Sequence, residues 1–119
     1  MMLPYRSIKL SSGLRVILAP MKHTHAVTVL VLVAAGSKYE QRRINGVSHF
    51  LEHLFFKGTK KRPSTEAVAA VLDGVGAEHN AFTSKEHTGY WVKTASEHAG
   101  LALDIVSDML TNPLFSLKL

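Results

Sequence analysis

The most informative stretch for the fold is a dense apolar segment, Gly46-Val47-Ser48-His49-Phe50-Leu51-Glu52-His53-Leu54-Phe55-Phe56. Its apolar side chains do not alternate, and they occupy almost every side of a helix instead of a single stripe. The segment therefore predicts a buried helix. Three ionisable side chains, His49, Glu52 and His53, interrupt it at a spacing that places them on neighbouring turns.

Five strands and two further helices are predicted around this helix. Two short strands joined at Ser11-Ser12-Gly13 indicate a hairpin, and 27–33 is a third strand, so apolar that we expect it to be central and covered on both faces. A helix that starts at Pro63-Ser64-Thr65-Glu66 with a hydroxyl N-cap follows, and after it come strands over 77–84 and 88–94 and a helix that ends before Asn112-Pro113. The order βββααββα predicts an α+β fold, with helices packed on one face of a largely antiparallel sheet.

Composition and charge narrow the classes of function. The 119 residues are 46% hydrophobic and contain no cysteine, so we expect one domain whose metal ligands, if any, are histidines and carboxylates. The net charge is +5, and the only dense basic run, residues 57–62, has no interleaved aromatic residues. We interpret this run as a solvated loop and expect no nucleic-acid partner, because no binding motif accompanies it. The alternative, a basic nucleic-acid module, predicts steeply salt-dependent binding.

No segment of the sequence indicates a membrane or export role. The longest apolar run, 26–36, is shorter than the roughly 20 residues that a membrane helix needs, so we expect no membrane insertion. The first six residues contain neither a hydrophobic signal region nor an arginine-rich presequence. We therefore expect the chain to stay in the compartment where it is made.

His49 and His53 lie at positions i and i+4 of the predicted helix, so both imidazoles can reach one ion. Imidazole is a common zinc ligand, and Glu52 borders the same face, where a carboxylate can take a proton from a water that the metal activates. A structural metal, or core residues that satisfy one another, are the alternatives. We favour a catalytic zinc because unpaired ionisable groups are costly within an apolar helix.

The spacing His-x-x-Glu-His is the inverted form of a zinc peptidase motif, and the chain resembles the pitrilysin or insulinase family over nearly its whole length. Four stretches carry the resemblance, in order: Gly36-Ser37-Lys38-Tyr39-Glu40, 45–53, Phe56-Lys57-Gly58-Thr59 and 80–88. Within the family the chain is most similar to bacterial processing proteases related to the catalytic subunit of mitochondrial processing peptidase. The resemblance implies a cytoplasmic bacterial protein, or a mitochondrial matrix protein if the source is eukaryotic.

The resemblance also implies how the metal is held. His49 and His53 are expected to be zinc ligands and Glu52 the general base. The third ligand of the family is a glutamate expected at about position 130, beyond Leu119. Residues 1–119 are accordingly expected to be the N-terminal portion of a zinc metalloendopeptidase domain, inactive as an isolated chain because that ligand is missing.

A peptide or unfolded polypeptide is the implied substrate, bound as one more strand along the edge strand that contains Asn80, Ala81 and Phe82. Taken without the resemblance, Asn80 is more simply an asparagine of a strand edge or turn with no role in binding, and the resemblance favours the substrate-binding role. Glu86 and His87 are weaker candidates, as groups that orient the ligands through hydrogen bonds. The resemblance further implies a second family half or subunit that closes the cleft. The alternative function is a non-catalytic peptide-binding or assembly subunit of the same family.

Overall fold

The helices and strands follow the predicted order βββααββα. A computed structural model describes residues 4–114, apart from the side chain of Glu52, and begins with strands β1 (Arg6–Lys9), β2 (Arg15–Leu18) and β3 (Ala26–Val33). They are followed by α1 (Val47–Phe55), α2 (Thr65–Gly74), β4 (Glu78–Thr83), β5 (Thr88–Ala95) and α3 (Ala99–Thr111). Short 3-10 turns at Ser37–Tyr39 and Arg42–Ile44 lie in the connection from β3 to α1.

The strands form two antiparallel sheets. Strands β1 and β2 make the predicted hairpin, which turns at Gly13, where a φ of 93° favours glycine. The second sheet has the order β3-β5-β4. The prediction that β3 is central and covered on both faces is therefore wrong: within residues 4–114 it pairs with β5 alone, and Leu30 and Leu32 are exposed. A run of valines and leucines reports strand propensity, but it does not specify which strands lie beside it.

The helices pack on one face of the three-stranded sheet, as predicted. The shared core consists of side chains from α2, β5 and α3 that are at most 2% exposed: Val68, Leu72, Val92, Ala102, Ile105, Val106 and Met109. Val29 and Val31 of β3 pack against it from the same face of the sheet. Because side chains alternate along a strand, Leu30 and its cross-strand partner Trp91 lie on the opposite face.

Helix α1 is only half covered, so the prediction of a buried helix is wrong. Among its described side chains only Leu54 is buried, and Phe50 is 57% exposed. The helix meets the sheet through Phe55, whose ring contacts Tyr90 edge-on with centroids 5.2 Å apart. The cost of burying ionisable groups therefore gives no support for a metal, and the case for one depends on the geometry of the histidines.

The connection from α1 to α2 is bound to α3, and the interpretation of residues 57–62 as a solvated loop is wrong for Thr59 and Arg62. The Arg62 guanidinium donates to Asp104 at 2.7 Å and to Asp108 at 2.9 Å, and the side chain is 12% exposed. The Thr59 hydroxyl donates to Asp108 at 2.6 Å. These bonds hold the connection against α3. None of the described helices has the length and apolarity needed to span a bilayer.

Candidate metal site and adjoining cleft

His49 and His53 bring their imidazoles together on the exposed face of α1. Their Nε2 atoms are 3.2 Å apart, and the ring centroids are separated by 4.9 Å. The predicted convergence of the two rings is confirmed. In the metal-free chain one ring can donate its N–H to the other nitrogen, and with a cation present both lone pairs can face the same ion.

The distance between the two nitrogens fits two ligands of one zinc ion. Ligand nitrogens at about 2.0–2.1 Å from a tetrahedral ion lie roughly 3.3 Å apart, and the observed separation is 3.2 Å. Zinc also accepts imidazole nitrogen readily, so the donor set is chemically suitable. A catalytic zinc normally has three protein ligands, but among the described side chains no three His, Asp or Glu groups converge. The described site therefore offers two converging nitrogens to a metal.

Glu52 lies within α1, three residues after His49 and one before His53. Its side chain lies outside the described part of the structure. The assignment of Glu52 as general base stays a prediction that rests on its place in the helix.

A cleft of about 570 Å³ opens beside His49. Its walls come from the loop before α1, the first turn of α1 and the end of β4: Ser37, Glu40, Asn45, Gly46, His49, Phe82, Thr83, Ser84 and Lys85. A smaller pocket of about 170 Å³ adjoins the other end of β4 and is lined by Phe56, Thr65, Val68, Ala69, His79 and Asn80. The structure thus brings one end of β4 together with the histidine pair, and it places pockets near both ends of that strand.

Strand β4 is an edge of its sheet, because within residues 4–114 it pairs with β5 alone. The Ser84 N–H, just after β4, donates to the His87 carbonyl at 2.8 Å. In an antiparallel pair every second residue bonds to the neighbouring strand, so the backbone groups of residues 82, 80 and 78 also point toward β5. The backbone of Ala81 therefore faces outward. Its N–H donates to the Asn80 side chain at 2.8 Å, so an outside acceptor must replace that side chain.

The other predicted site residues lie around this strand. The ring of Phe82 covers Gly89 of β5 so closely that a methyl group on Gly89 would overlap it. The carboxylate of Glu86 is 3.5 Å from Lys38 Nζ, and the carbonyl of His87 accepts bonds from Ser84. These contacts do not involve the histidine pair, so the roles of Glu86 and His87 as orienting groups stay predictions.

Glu40 is a site residue to which the sequence assigned no role. Its carboxylate accepts hydrogen bonds from the N–H of Gly46 at 2.7 Å and of Ser48 at 2.8 Å, immediately before His49. The hydrogen bond from the Ser48 N–H, and to a smaller extent the one from the Gly46 N–H, holds the pKa of the Glu40 carboxyl below its usual range. The motif Gly36-Ser37-Lys38-Tyr39-Glu40 was the available signal, since it accompanies the histidine motif in the family that the sequence resembles.

Comparisons with known proteins identify the family to which the chain belongs. The family model described as insulinase, peptidase family M16, matches residues 15–118. An uncharacterized zinc protease, YmxG of Bacillus subtilis, is 43% identical over 104 residues, which are 87% of this chain and 25% of that protein. The beta subunit of mitochondrial-processing peptidase from Dictyostelium discoideum is 42% identical over 110 residues, which are 92% of this chain and 23% of that subunit.

A solved structure is also similar. A protease from Helicobacter pylori superposes with a TM-score of 0.90 at 30% identity, covering 98% of this chain and 28% of that one. The chain thus spans about a quarter of the length of the curated relatives that it matches. The chain therefore belongs to the insulinase family of peptidases, family M16.

Proposed function

We propose that this chain provides the metal-binding and general-base part of a zinc metalloendopeptidase site. The observation that carries the proposal is the 3.2 Å separation of the Nε2 atoms of His49 and His53, beside a cleft that reaches an edge strand. Relatives that cover most of the chain are named zinc protease and processing peptidase, which supports the same reaction class.

In the proposed reaction His49 and His53 hold zinc through Nε2, and Glu52 handles the proton. When bound, zinc supplies Lewis acidity, which acidifies a water and polarises a peptide carbonyl. Glu52 takes the proton from the attacking water and returns it to the leaving amine, so that one C–N bond is exchanged for one C–O bond. Because Glu52 shares a helix with both histidines, the backbone of α1 holds all three residues at a fixed spacing.

We propose that the peptide binds as an added strand along the outer edge of β4. The outward N–H of Ala81 is bonded to the Asn80 side chain in the free chain, at 2.8 Å. A peptide carbonyl that replaces Asn80 there releases the Asn80 amide, which then has a donor and an acceptor available for the peptide backbone. The exchange leaves no backbone group unpaired, so peptide entry carries little cost in lost hydrogen bonds.

The substrate is proposed to be an extended peptide or an unfolded polypeptide, because a folded protein cannot offer a free strand to this edge. The exposed face of α1, where Phe50 is 57% exposed, is proposed to be covered by a second family half or a partner subunit. A bacterial cytoplasmic or a mitochondrial location remains part of the proposal, since the relatives include bacterial proteases and a mitochondrial subunit.

Zinc titration against a chromophoric chelator tests the metal site directly. His49→Ala and His53→Ala should each remove the zinc binding that the unaltered chain shows. His98→Ala is the matched control, because this half-buried histidine lies just before α3, with its Nε2 atom 3.7 Å from a Glu97 carboxylate oxygen. Unchanged zinc binding in both His49→Ala and His53→Ala would overturn the proposal. Peptide binding by a chain that takes up no zinc would instead favour the non-catalytic subunit.

A further inference from the structure

We propose that residues 36–40 form a brace that positions the histidine-bearing helix against the edge strand, with Glu40 as its positioning residue. The brace is defined as the segment Gly36-Ser37-Lys38-Tyr39-Glu40. One end of it is bonded to the backbone that follows β4, and the other end is bonded to the first turn of α1. It therefore joins the two walls of the cleft that contains His49.

At the α1 end, the Glu40 carboxylate replaces the cap that the helix lacks. The N-cap residue is Gly46, which has no side chain to accept a bond from the first turn. Glu40 accepts one bond from Gly46 N–H at 2.7 Å and another from Ser48 N–H at 2.8 Å. Negative charge at a helix N-terminus adds a favourable interaction with the helix dipole. The next residue is His49, so the same two bonds fix the backbone from which this imidazole projects.

At the other end, the brace lies directly on the turn after β4. The Lys38 N–H donates to the Lys85 carbonyl oxygen at 2.8 Å. Gly36 packs so closely that a Cβ there would lie 2.7 Å from both the carbonyl carbon and the carbonyl oxygen of Lys85. A side chain at position 36 would therefore push the brace away from β4. The exposed ion pair between Lys38 and Glu86, at 3.5 Å, adds a weaker contact in the same place.

The contacts of Glu40 distinguish positioning from direct participation. Each carboxylate oxygen is engaged by a backbone N–H, so the group is occupied in capping α1. Peptide hydrolysis depends on the position of the metal relative to the bound strand, and displacements near 1 Å can cost about 100-fold in rate. The brace sets that position because it contacts both elements. The effect on zinc rests on the proposed function, whereas the effect on the two rings concerns the metal-free chain.

The test compares Glu40→Ala with Asp104→Ala, which also removes a half-buried carboxylate with two hydrogen-bond partners but lies on α3. In the metal-free chain, NMR contacts between the His49 and His53 rings should weaken in Glu40→Ala and persist in Asp104→Ala. Zinc affinity should fall by about 10- to 100-fold in Glu40→Ala, as for groups that orient ligands. Glu40→Gln, which keeps an acceptor oxygen, should restore part of both signals.

Equal effects of Glu40→Ala and Asp104→Ala on the rings and on zinc affinity would overturn the proposal, because general destabilisation would then explain both. Intact ring contacts with unchanged zinc affinity in Glu40→Ala would also overturn it. Should Glu40→Ala fail to fold, the ring contacts and the zinc affinity are measured in Glu40→Gln and Gly36→Ala instead. Unaltered values in both variants would overturn the proposal. If the unaltered chain binds no zinc while Glu40→Ala still separates the rings, the proposed function fails and the brace stands.

Discussion

The hydroxyl of Thr59 donates a 2.6 Å hydrogen bond to the carboxylate of Asp108, and the two residues are 0% and 7% exposed. Arg62 donates to the same carboxylate oxygen at 2.9 Å. A buried carboxylate must be paired and hydrogen-bonded to be tolerated, and these two donors come from one loop. The loop that follows the histidine helix is thereby fixed on α3.

Replacement of Thr59 by valine tests the strength of this bond. Thr59→Val keeps the shape of the side chain but removes a buried donor to a charged acceptor, so the free energy of unfolding should fall by about 1.5–3 kcal/mol. Denaturant unfolding measures the change. Thr111→Val is the matched control, since that exposed hydroxyl donates to a carbonyl within α3, and its effect should stay within about 0.5 kcal/mol. Equal losses in the two variants would contradict the prediction.

The ion pairs of Asp104 predict a dependence of stability on pH. The hydrogen bond from Arg62, followed by that from Lys61, lowers the pKa of the Asp104 carboxyl. A carboxyl with a lower pKa in the folded chain stabilises it fully above its unfolded value of about 3.9, and loses this effect as pH falls through the folded value. The stability difference between the unaltered chain and Asp104→Asn should therefore be constant near neutral pH and shrink below about pH 4. A difference that grows on acidification would contradict this sign.

Local patterns in the sequence were sufficient for much of the fold. A hydroxyl N-cap was predicted at the start of α2, and the Ser64 hydroxyl accepts a bond from Ala67 N–H at 3.0 Å. The spacing of His49 and His53 predicted that their rings converge, because helix geometry alone places such residues together. Residues 77–84 were predicted to form a strand, and β4 spans Glu78–Thr83 at a sheet edge. Each of these predictions depends on residues that are close in the chain.

The predictions that failed concern contacts between distant segments. The position of β3 in the sheet depends on which strands pair with it, and its own run of apolar residues does not encode that choice. In the sequence Arg62 is one residue of a basic loop, and only the folded chain shows that Asp104 and Asp108 of α3 pair with it. Glu40 is six residues before the Gly46 N-cap, outside the spacing of the capping motifs that sequence patterns recognise.

The contact between Phe82 and Gly89 predicts a coupled effect of two substitutions. A methyl group in Gly89→Ala would overlap the Phe82 ring, which must then rotate away from β5 at a cost of about 1–3 kcal/mol in stability. In a Phe82→Ala background the same methyl group finds open space, so the cost of Gly89→Ala should largely disappear. Denaturant unfolding of the four chains in this double-mutant cycle gives the coupling. Additive effects would show that the ring does not lie over Gly89 in solution.

The role proposed for Glu52 predicts a separation of metal binding from catalysis. In a longer version of the protein that includes the expected third ligand, Glu52→Gln should abolish peptide hydrolysis and leave the zinc content near that of the unaltered protein. The reason is that the amide cannot accept a proton from the attacking water, while the histidines still hold the metal. The measurements are the zinc content and the rate of peptide cleavage, both on the same sample of each protein. Loss of zinc together with activity would identify Glu52 as a ligand, and retained activity would remove it from the mechanism.

We expect the 119-residue chain itself to bind zinc weakly and to show no useful peptidase activity. The described side chains offer two converging imidazoles, those of His49 and His53, whereas catalytic zinc sites normally hold three protein ligands. Coordination by Glu52 in place of a third ligand would remove the proposed base, so metal binding and catalysis would compete for one carboxylate. The measurement is zinc titration and cleavage of an unstructured peptide by this chain, beside a longer version that reaches the expected glutamate. Tight stoichiometric binding with turnover by the short chain would contradict the prediction, and it would require a further ligand from Glu86 or from a second copy of the chain.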